Sequence, residues 1–303
     1  MEKPLVSVVM VTYNQENYIE QSIRSVLNQN TDFSIELVIG EDCSTDNTRT
    51  ICEKLSLEFP NTIVLLEKQP NLGLFKNYQR CFENCRGEFI AILEGDDYWI
   101  DELKLQNQIE LIQEDSAVGL VHSNYKTSRG HNNIVGSVSQ KLNDKCIELQ
   151  GKGLYAEVLL ANFICAGTAL FRSEYLKNIN FKYFIDKHCN TIDFILWLEI
   201  SQHAAIKYLD RPTLMYRILD TSISNNKSFA KLESFYCTKF NIVEYYLAKY
   251  PLVDVSITKI RSMYDTFLFF KAVKIGKSMD VIKYLRRLTF IGLRHTFKAW
   301  RIN

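Results

Sequence analysis

The sequence predicts an α/β chain in which a Rossmann-like, mainly parallel sheet is flanked by helices and followed by a helical extension. Three observations predict it. Through the first hundred residues, short apolar runs rich in β-branched side chains alternate with segments whose apolar residues recur at helical spacing. The polar clusters TYN, EDCSTD and EGDD each close one of those runs. From about Phe229 onward only helix patterns are visible.

The elements follow in order. Residues 5–11 (LVSVVMV), bounded by Pro4 and TYN, read as a strand buried on both faces. Residues 16–28 carry Tyr18, Ile19, Ile23, Val26 and Leu27 on one helical face. A second strand covers 35–40 (IELVIG). Ser44 or Thr45 is placed to cap a helix that Pro60 stops near Phe59. A third strand spans 62–66, a third helix 74–85 ends before Gly87, and a fourth strand spans 88–93. Strands joined by helices of this length imply right-handed crossovers, and ligands then bind beyond the carboxyl ends of the strands. Further on the pattern gives a helix over 102–114, a strand over 118–123 and a polar segment over 126–150. An apolar stretch through CAGTALFR, a helix over 193–203 and a strand over 205–209 follow.

A chain of 303 residues can bury a full core, and 47% hydrophobic with 23% charged residues is ordinary for a soluble globular protein. The formal charge of +1 gives no reason to expect nucleic acid as a partner. Eight cysteines are scattered without a CxxC pair, which reads as small buried thiols in a reducing compartment. The opening apolar run lacks a basic flank and a small-residue cleavage site, and nothing approaches the ~18 unbroken apolar residues of a membrane span. The expectation is a cytoplasmic chain.

The segment FIAILEGDDYWID, residues 89–101, carries the chemistry. Adjacent carboxylates directly after a buried strand face a steep desolvation cost unless something compensates. A divalent cation does so, and hard oxygen ligands select Mg2+ or Mn2+. The alternative is structural, with Asp96 or Asp97 capping a helix that starts at Tyr98.

The segment resembles the modified Asp-x-Asp motif of family-2 glycosyltransferases, which have the GT-A fold. VSVVMVTYNQENYIEQSIRSVLNQ, VIGEDCSTDNT, NLGLFKN and a later ID-FILWL agree with that family in the same order, over about residues 5–217. The resemblance implies an inverting transfer of sugar from a nucleotide-diphosphate donor, a UDP-sugar by preference, to a hydroxyl of a glycan or lipid-linked acceptor in surface polysaccharide synthesis. It implies a catalytic region over 1–222, nucleotide-binding over 1–100 and acceptor-binding over 101–222, with a helical region over 223–303.

Carried over residue by residue, the resemblance makes Asp97 the metal ligand, with Asp96 near the donor ribose or the metal's water shell. Glu94 stands where many members have Asp. Val11, Thr12, Tyr13 and Asn14 form the turn that contacts the base, with Tyr13 placed to stack on it. Asp42 accepts from the pyrimidine imide N–H, as an ionised carboxylate can. Asn71, Gly73 and Lys76 face base or phosphate, although a plain turn with a solvated lysine accounts for them too. Asp193, opening an apolar helix, matches the family's general base; as residues alone it also looks like a helix cap, with Asp186, Glu199 and Asp210 as rivals for the base. Gly167 and Thr168, in the run Cys165–Thr168, lie on the acceptor side with Trp197. Tyr216–Arg217 matches a tail motif that often continues to a histidine. Here Ile218, Leu219 and Asp220 follow, which casts doubt on a histidine metal contact and leaves Arg217 to face phosphate. His122, in an apolar strand, reads as a core or rim residue.

Residues 271–303 hold nine basic side chains against the single acid Asp280, interleaved with apolar and aromatic residues. Such a segment suits either an anionic membrane surface, on the inner face of the cell membrane, or packing against the catalytic region. Two other classes compete with the transferase. A sugar nucleotidyltransferase is expected to carry a glycine-rich phosphate loop where this chain has TYNQENY. An inactive carbohydrate- or nucleotide-binding homologue would retain the fold without turnover.

Overall fold

The computed structural model describes residues 3–129, 133–137, 140–151, 153–219, 228–253 and 255–287. They form two compact units. The first comprises Met1–Val158, Asn162–Phe181 and Ile192–Ile218, and the second Leu159–Ala161, Lys182–Thr191 and Leu219–Asn303.

The first unit is built on a mixed sheet in which the strands lie in the order β3 (Ile63–Leu65), β2 (Ile35–Glu41), β1 (Val6–Thr12), β4 (Phe89–Ile92), β8 (Leu170–Arg172), β6 (Val118–Arg129), β9 (Ala205–Arg217) and β5 (Tyr98–Trp99), with β7 (Asn133–Ser137) paired to β6. β1 (Val6–Thr12) is buried along its whole length. It lies in parallel between β2 (Ile35–Glu41) and β4 (Phe89–Ile92), and β2 pairs in parallel with β3 (Ile63–Leu65). These are the apolar runs of the sequence, and both faces are covered by helices. α1 (Ile19–Leu27) buries Ile19, Ile23 and Val26, the stripe its spacing announced. α2 (Thr48–Glu58) buries Cys52 and Leu55, and α3 (Leu74–Glu83) buries Phe75, Tyr78, Cys81 and Phe82. Each such large apolar side chain removed from water contributes roughly 1.5–3 kcal/mol before entropy is counted.

Beyond β4 the sheet changes character. β8 (Leu170–Arg172) runs antiparallel to both β4 and β6 (Val118–Arg129). β9 (Ala205–Arg217) runs parallel to β6, while β5 (Tyr98–Trp99) pairs antiparallel with β9 and β7 (Asn133–Ser137) with β6. The helices α4 (Lys104–Gln113), α5 (Gln140–Glu148), α6 (Tyr155–Leu160), α7 (Phe181–Asp186) and α8 (Ile192–His203) complete the order before the C-terminal part.

Several elements depart from the sequence reading, each for a physical reason. β6 and β9 extend well past Ser123 and Leu209, because their register jumps from Ser123↔Leu209 to Asn124↔Pro212. The irregularity takes up the exposed Asp210 and Arg211, and with Pro212 they ended the apolar pattern without ending the strand. The polar segment 126–150 contains the end of β6, β7 and α5. Tyr98 opens a two-residue strand and not a helix, so Asp96 and Asp97 cap nothing there. Ser44 and Thr45 do not cap α2; Asp46 Oδ1 accepts the Thr48 N–H at 3.0 Å instead.

The second unit holds α9 (Phe229–Lys249), α10 (Ile257–Ile275) and α11 (Ser278–Leu285). Phe229, Leu268, Ala272 and Tyr284 form its apolar cluster. Of the basic segment, Arg294, Lys298 and Arg301 lie outside the described residues. All eight cysteines are free thiols; Cys52, Cys81, Cys146 and Cys189 are buried, and Cys237 is exposed.

Candidate active site

Three strand ends bring the polar clusters together. The parallel pairing of β1 with β2 and β4 places Thr12, Asp42 and the loop 94–97 side by side. The Asp42 N–H donates to the Thr12 carbonyl at 3.0 Å, and the Gly95 N–H to that of Val11 at 3.1 Å. A Cβ on Gly95 would stand 2.5 Å from Gln15 Oε1 and 2.8 Å from Thr12 Oγ1, so only glycine lets this loop lie against the end of β1.

Val11 and Thr12 are buried, whereas Tyr13 is 48% exposed. Asn14 takes a left-handed conformation, φ 53°. It binds the loop after β2 three times: its N–H donates to Ser44 Oγ at 2.9 Å, and its Oδ1 accepts the Thr45 N–H at 2.8 Å and the Thr45 hydroxyl at 3.3 Å. The turn is therefore rigidly tied while the Tyr13 ring stands in the open. The Asp42 carboxylate accepts the Leu72 N–H at 2.7 Å and the Gly73 N–H at 2.9 Å, and its carbonyl accepts from Asn71 Nδ2 at 2.8 Å. Gly73 has φ 79°, a backbone that disfavours any side chain. Lys76 is exposed on α3.

The acidic loop is crowded with carboxylates. Burial pushes Glu94 up to about 8, with the charges of Asp96 and Asp193 adding to the effect. Burial likewise raises Asp96, and raises Asp97 well above the ordinary carboxylate range with help from Asp96 and Glu94. Two things oppose this at Asp97: the Arg217 N–H, which donates to Oδ1 at 2.7 Å, and the positive charge of Arg217. From the other side, Ser22 Oγ donates to the Gly95 carbonyl at 2.8 Å and also to that of Asp97.

Asp193, in the first turn of α8, joins this group from the far half of the sheet. Its charge bears on Glu94, Tyr78 and Cys165. Asn162 Nδ2 donates to Asp193 Oδ2 at 2.8 Å, and Tyr78 Oη donates to Glu94 Oε1 at 3.3 Å. Neither Asn162 nor Tyr78 stood out in the sequence: one sits in a featureless loop, the other fits the apolar stripe of α3. The rivals are placed differently. Glu199 is buried and paired with His203 at 3.2 Å, and Asp186 is paired with Lys182 at 3.0 Å.

The acceptor-side residues divide. Gly167 and Thr168 form a tight 3-10 turn, Ala166–Thr168, in which the Gly167 carbonyl accepts from Trp99 Nε1 at 2.9 Å. Trp197 is fully buried, edge-on to Phe171 with centroids 5.8 Å apart, and donates from Nε1 to the Ile164 carbonyl at 3.3 Å; its ring packs the core. The Arg217 guanidinium turns toward α1 and β5, donating to the Asp96 carbonyl and to Gln21 Oε1. His122 is buried against Phe163 and Tyr208, and burial takes its imidazole down to about 3.

A sheet whose parallel strand ends carry an exposed tyrosine turn and a carboxylate-rich loop has relatives. The description "Glycosyl transferase family 2" matches residues 7–179. The chain belongs to that family. A UDP-Glc:alpha-D-GlcNAc-diphosphoundecaprenol beta-1,3-glucosyltransferase of Escherichia coli, WfgD, is 31% identical over 264 residues, covering 84% of this chain and 95% of its own. Uncharacterized mycobacterial proteins are 37% identical over 106 residues, and the chain spans 31% of their length. Among solved structures, Staphylococcus aureus TarS 1–349 in complex with UDP-GlcNAc superposes with TM-score 0.62 at 20% identity, covering 86% of this chain and 71% of that one. The Pyrobaculum calidifontis mannosyltransferase PcManGT, in complex with GDP-Man and Mn2+, gives 0.59 at 14% identity, covering 100% and 82%. These neighbours establish the GT-A fold of this family-2 chain.

A divalent cation fits the residues present. Three carboxyls share this loop with one guanidinium, and their raised pKa values reflect a cost of ionisation that a bound cation would offset. Among the described residues no three His, Cys, Asp or Glu side chains are grouped to hold a metal unaided. That suits a cation which takes one or two protein carboxylates and fills its shell from a diphosphate and water.

Proposed function

We propose that this family-2 chain is an inverting, metal-dependent glycosyltransferase that moves a sugar from a UDP-sugar to a hydroxyl of a glycan or lipid-linked acceptor. The observation that carries the reading is the acidic Glu94–Asp97 loop bonded to the end of β1, the strand that leads into the exposed Tyr13, with the charge of Asp193 acting on Glu94 from the far half of the sheet. E. coli WfgD, by its name, transfers glucose from UDP-Glc to a diphosphoundecaprenol-linked sugar, which supports the donor and the acceptor class.

In this reading Tyr13 stacks on the base and Asp42 accepts the imide N–H. Two backbone N–H groups already bind the Asp42 carboxylate, but its oxygens offer about four acceptor positions. Asn71, Gly73 and Lys76 flank base and phosphate. Asp97, with Asp96 beside it, would hold Mn2+ or Mg2+, which stabilises charge on a departing diphosphate. Asp193 takes the proton of the acceptor hydroxyl as that oxygen bonds to the anomeric carbon. The bond from that carbon to the diphosphate oxygen breaks, and the electron pair leaves with UDP. Gly167 and Thr168 border the acceptor side.

The nucleotide-binding half is 1–100, the acceptor half 101–222, and 223–303 the helical region. That region would bring the enzyme to the inner face of the membrane. At its end Met279, Ile282 and Leu285 are exposed beside Lys277, Lys283, Arg286 and Arg287, the pairing of apolar and basic groups that anionic lipid favours. No helix among the described residues is long and apolar enough to cross a membrane.

Calorimetry with UDP, dTDP and GDP, with and without Mn2+, on wild type and Asp97→Ala, tests the reading. Manganese-dependent UDP binding lost in the variant, followed by turnover of a UDP-sugar, is the expected result. Binding without turnover on any UDP-sugar would favour an inactive homologue, and no nucleotide binding at all would sink the proposal.

A further inference from the structure

Arg217, the last residue of β9, is engaged on every side. The whole residue is 3% exposed. Its backbone N–H holds Asp97 Oδ1, and its guanidinium donates to the Asp96 carbonyl at one end and to Gln21 Oε1 on α1 at the other. The guanidinium carbon also lies 4.5 Å from the centroid of the Tyr98 ring and 5.0 Å from that of Tyr18. A cation close to two aromatic rings that also donates in two directions uses the forked donor geometry of arginine, which a lysine ammonium lacks. One side chain thereby joins α1, the acidic loop, β5 and β9. These segments are up to 196 residues apart in sequence.

We infer that Arg217 is a positioning residue. It fixes the acidic loop so that Asp97 can present its carboxylate to a cation, and it does not itself contact the donor. The inference rests on the transferase reading above. A loop whose Asp97 must be both buried and correctly aimed is costly to order. Ser22 holds its Gly95 and Asp97 carbonyls from one side, and the guanidinium holds the Asp96 carbonyl between them, while the backbone N–H of Arg217 meets the Asp97 carboxylate itself. The guanidinium thereby ties the loop to the end of β9, and its positive charge offsets part of the mutual repulsion of the carboxylates. The opposing account, in which the guanidinium contacts the diphosphate, would require it to leave both rings and both acceptors.

The test measures two affinities by calorimetry on the full chain: Mn2+ in the presence of saturating UDP, and UDP in the absence of metal. For Arg217→Met, Mn2+ affinity is expected to fall about 10–100-fold, the range for groups that orient a metal ligand, with metal-free UDP affinity within about twofold of wild type. Arg217→Lys, which keeps the charge without the fork, is expected to stay within about threefold of the Met variant. Gln21→Met, at an exposed position that leaves the core intact, is expected to weaken Mn2+ about threefold or more. Unchanged Mn2+ affinity in both Arg217→Met and Gln21→Met overturns the inference. So does a loss confined to metal-free UDP binding, or full restoration by lysine. Wild type is measured first: absence of manganese-dependent UDP binding there would defeat the transferase reading itself, whereas a normal wild type with normal variants defeats this inference alone.

Discussion

Asn162 Nδ2 donates to Asp193 Oδ2 at 2.8 Å, so the carboxylate proposed as general base is held at one oxygen by a side chain from the loop after α6. A base is effective only if aimed at the proton it takes. Asp193→Asn is expected to lower kcat about 10²–10⁴-fold with nucleotide affinity unchanged, the range for losing a positioned base. Asn162→Ala is expected to lower kcat about tenfold, leaving the base present but free to rotate. Equal kcat in wild type and Asp193→Asn, with any UDP-sugar that is turned over, would remove Asp193 from the chemistry.

The Tyr13 ring stands 48% exposed on a turn that Asn14 pins from both sides. Stacking of a base on such a ring contributes about 1–3 kcal/mol. Tyr13→Ala is therefore expected to weaken UDP by roughly 5- to 150-fold, and Tyr13→Phe to leave it nearly unchanged. Calorimetry decides it. A loss in the phenylalanine variant as large as in the alanine variant would mean that the hydroxyl, and not the ring face, is what binds.

Gly73 combines φ 79° with an N–H given to Asp42 Oδ2 at 2.9 Å. There is open space where a Cβ would go, so the penalty for Gly73→Ala is backbone strain and not a clash. It is expected to cost about 1–3 kcal/mol and to weaken UDP by disturbing Asp42. Lowered stability with unchanged UDP affinity would separate Gly73 from the base pocket.

Lys104 is fully buried, with Nζ 2.6 Å from Gln108 Oε1 and 4.4 Å from the centroid of the Trp99 ring. Burial lowers its pKa from the ordinary 10.5 to about 7, against the pull of Asp101. Between those values the unfolded chain binds more protons than the folded one, so this lysine makes stability rise with pH over that window. Lys104→Met removes the titration at the cost of a partner for Gln108. Its stability relative to wild type is expected to be most favourable at and below about pH 7 and to decline toward about pH 10. Urea midpoints of both proteins across that range measure it, and a difference that stays constant with pH would show that Lys104 does not titrate in this way.

The parallel half of the fold was legible because strands buried on both faces are continuous apolar runs, and because the stripes of α1 and α3 repeat at helical spacing. The candidate acids and the Tyr13 turn were legible for a related reason: polar residues crowded at strand ends stand out against such runs. The far half was less legible. Asp210–Arg211–Pro212 ends the apolar pattern of β9, yet the strand continues through a bulge, since its partner β6 supplies the hydrogen bonds that local sequence does not announce.

What the sequence by itself determined was the inventory: the strands and helices, their order through β4, and the residue types able to hold a base, a cation and a proton. Only the tertiary structure decided which of them meet. Folding placed Asn162 on Asp193, sent the Trp197 ring into the core, and drew the Arg217 guanidinium between two tyrosines. Periodicity reports which face of an element is buried, because burial is set by each residue's own polarity. Which partner a side chain finds depends on where distant strands come to lie, and nothing in the residues adjoining Arg217 encodes the position of Asp97, 120 residues away.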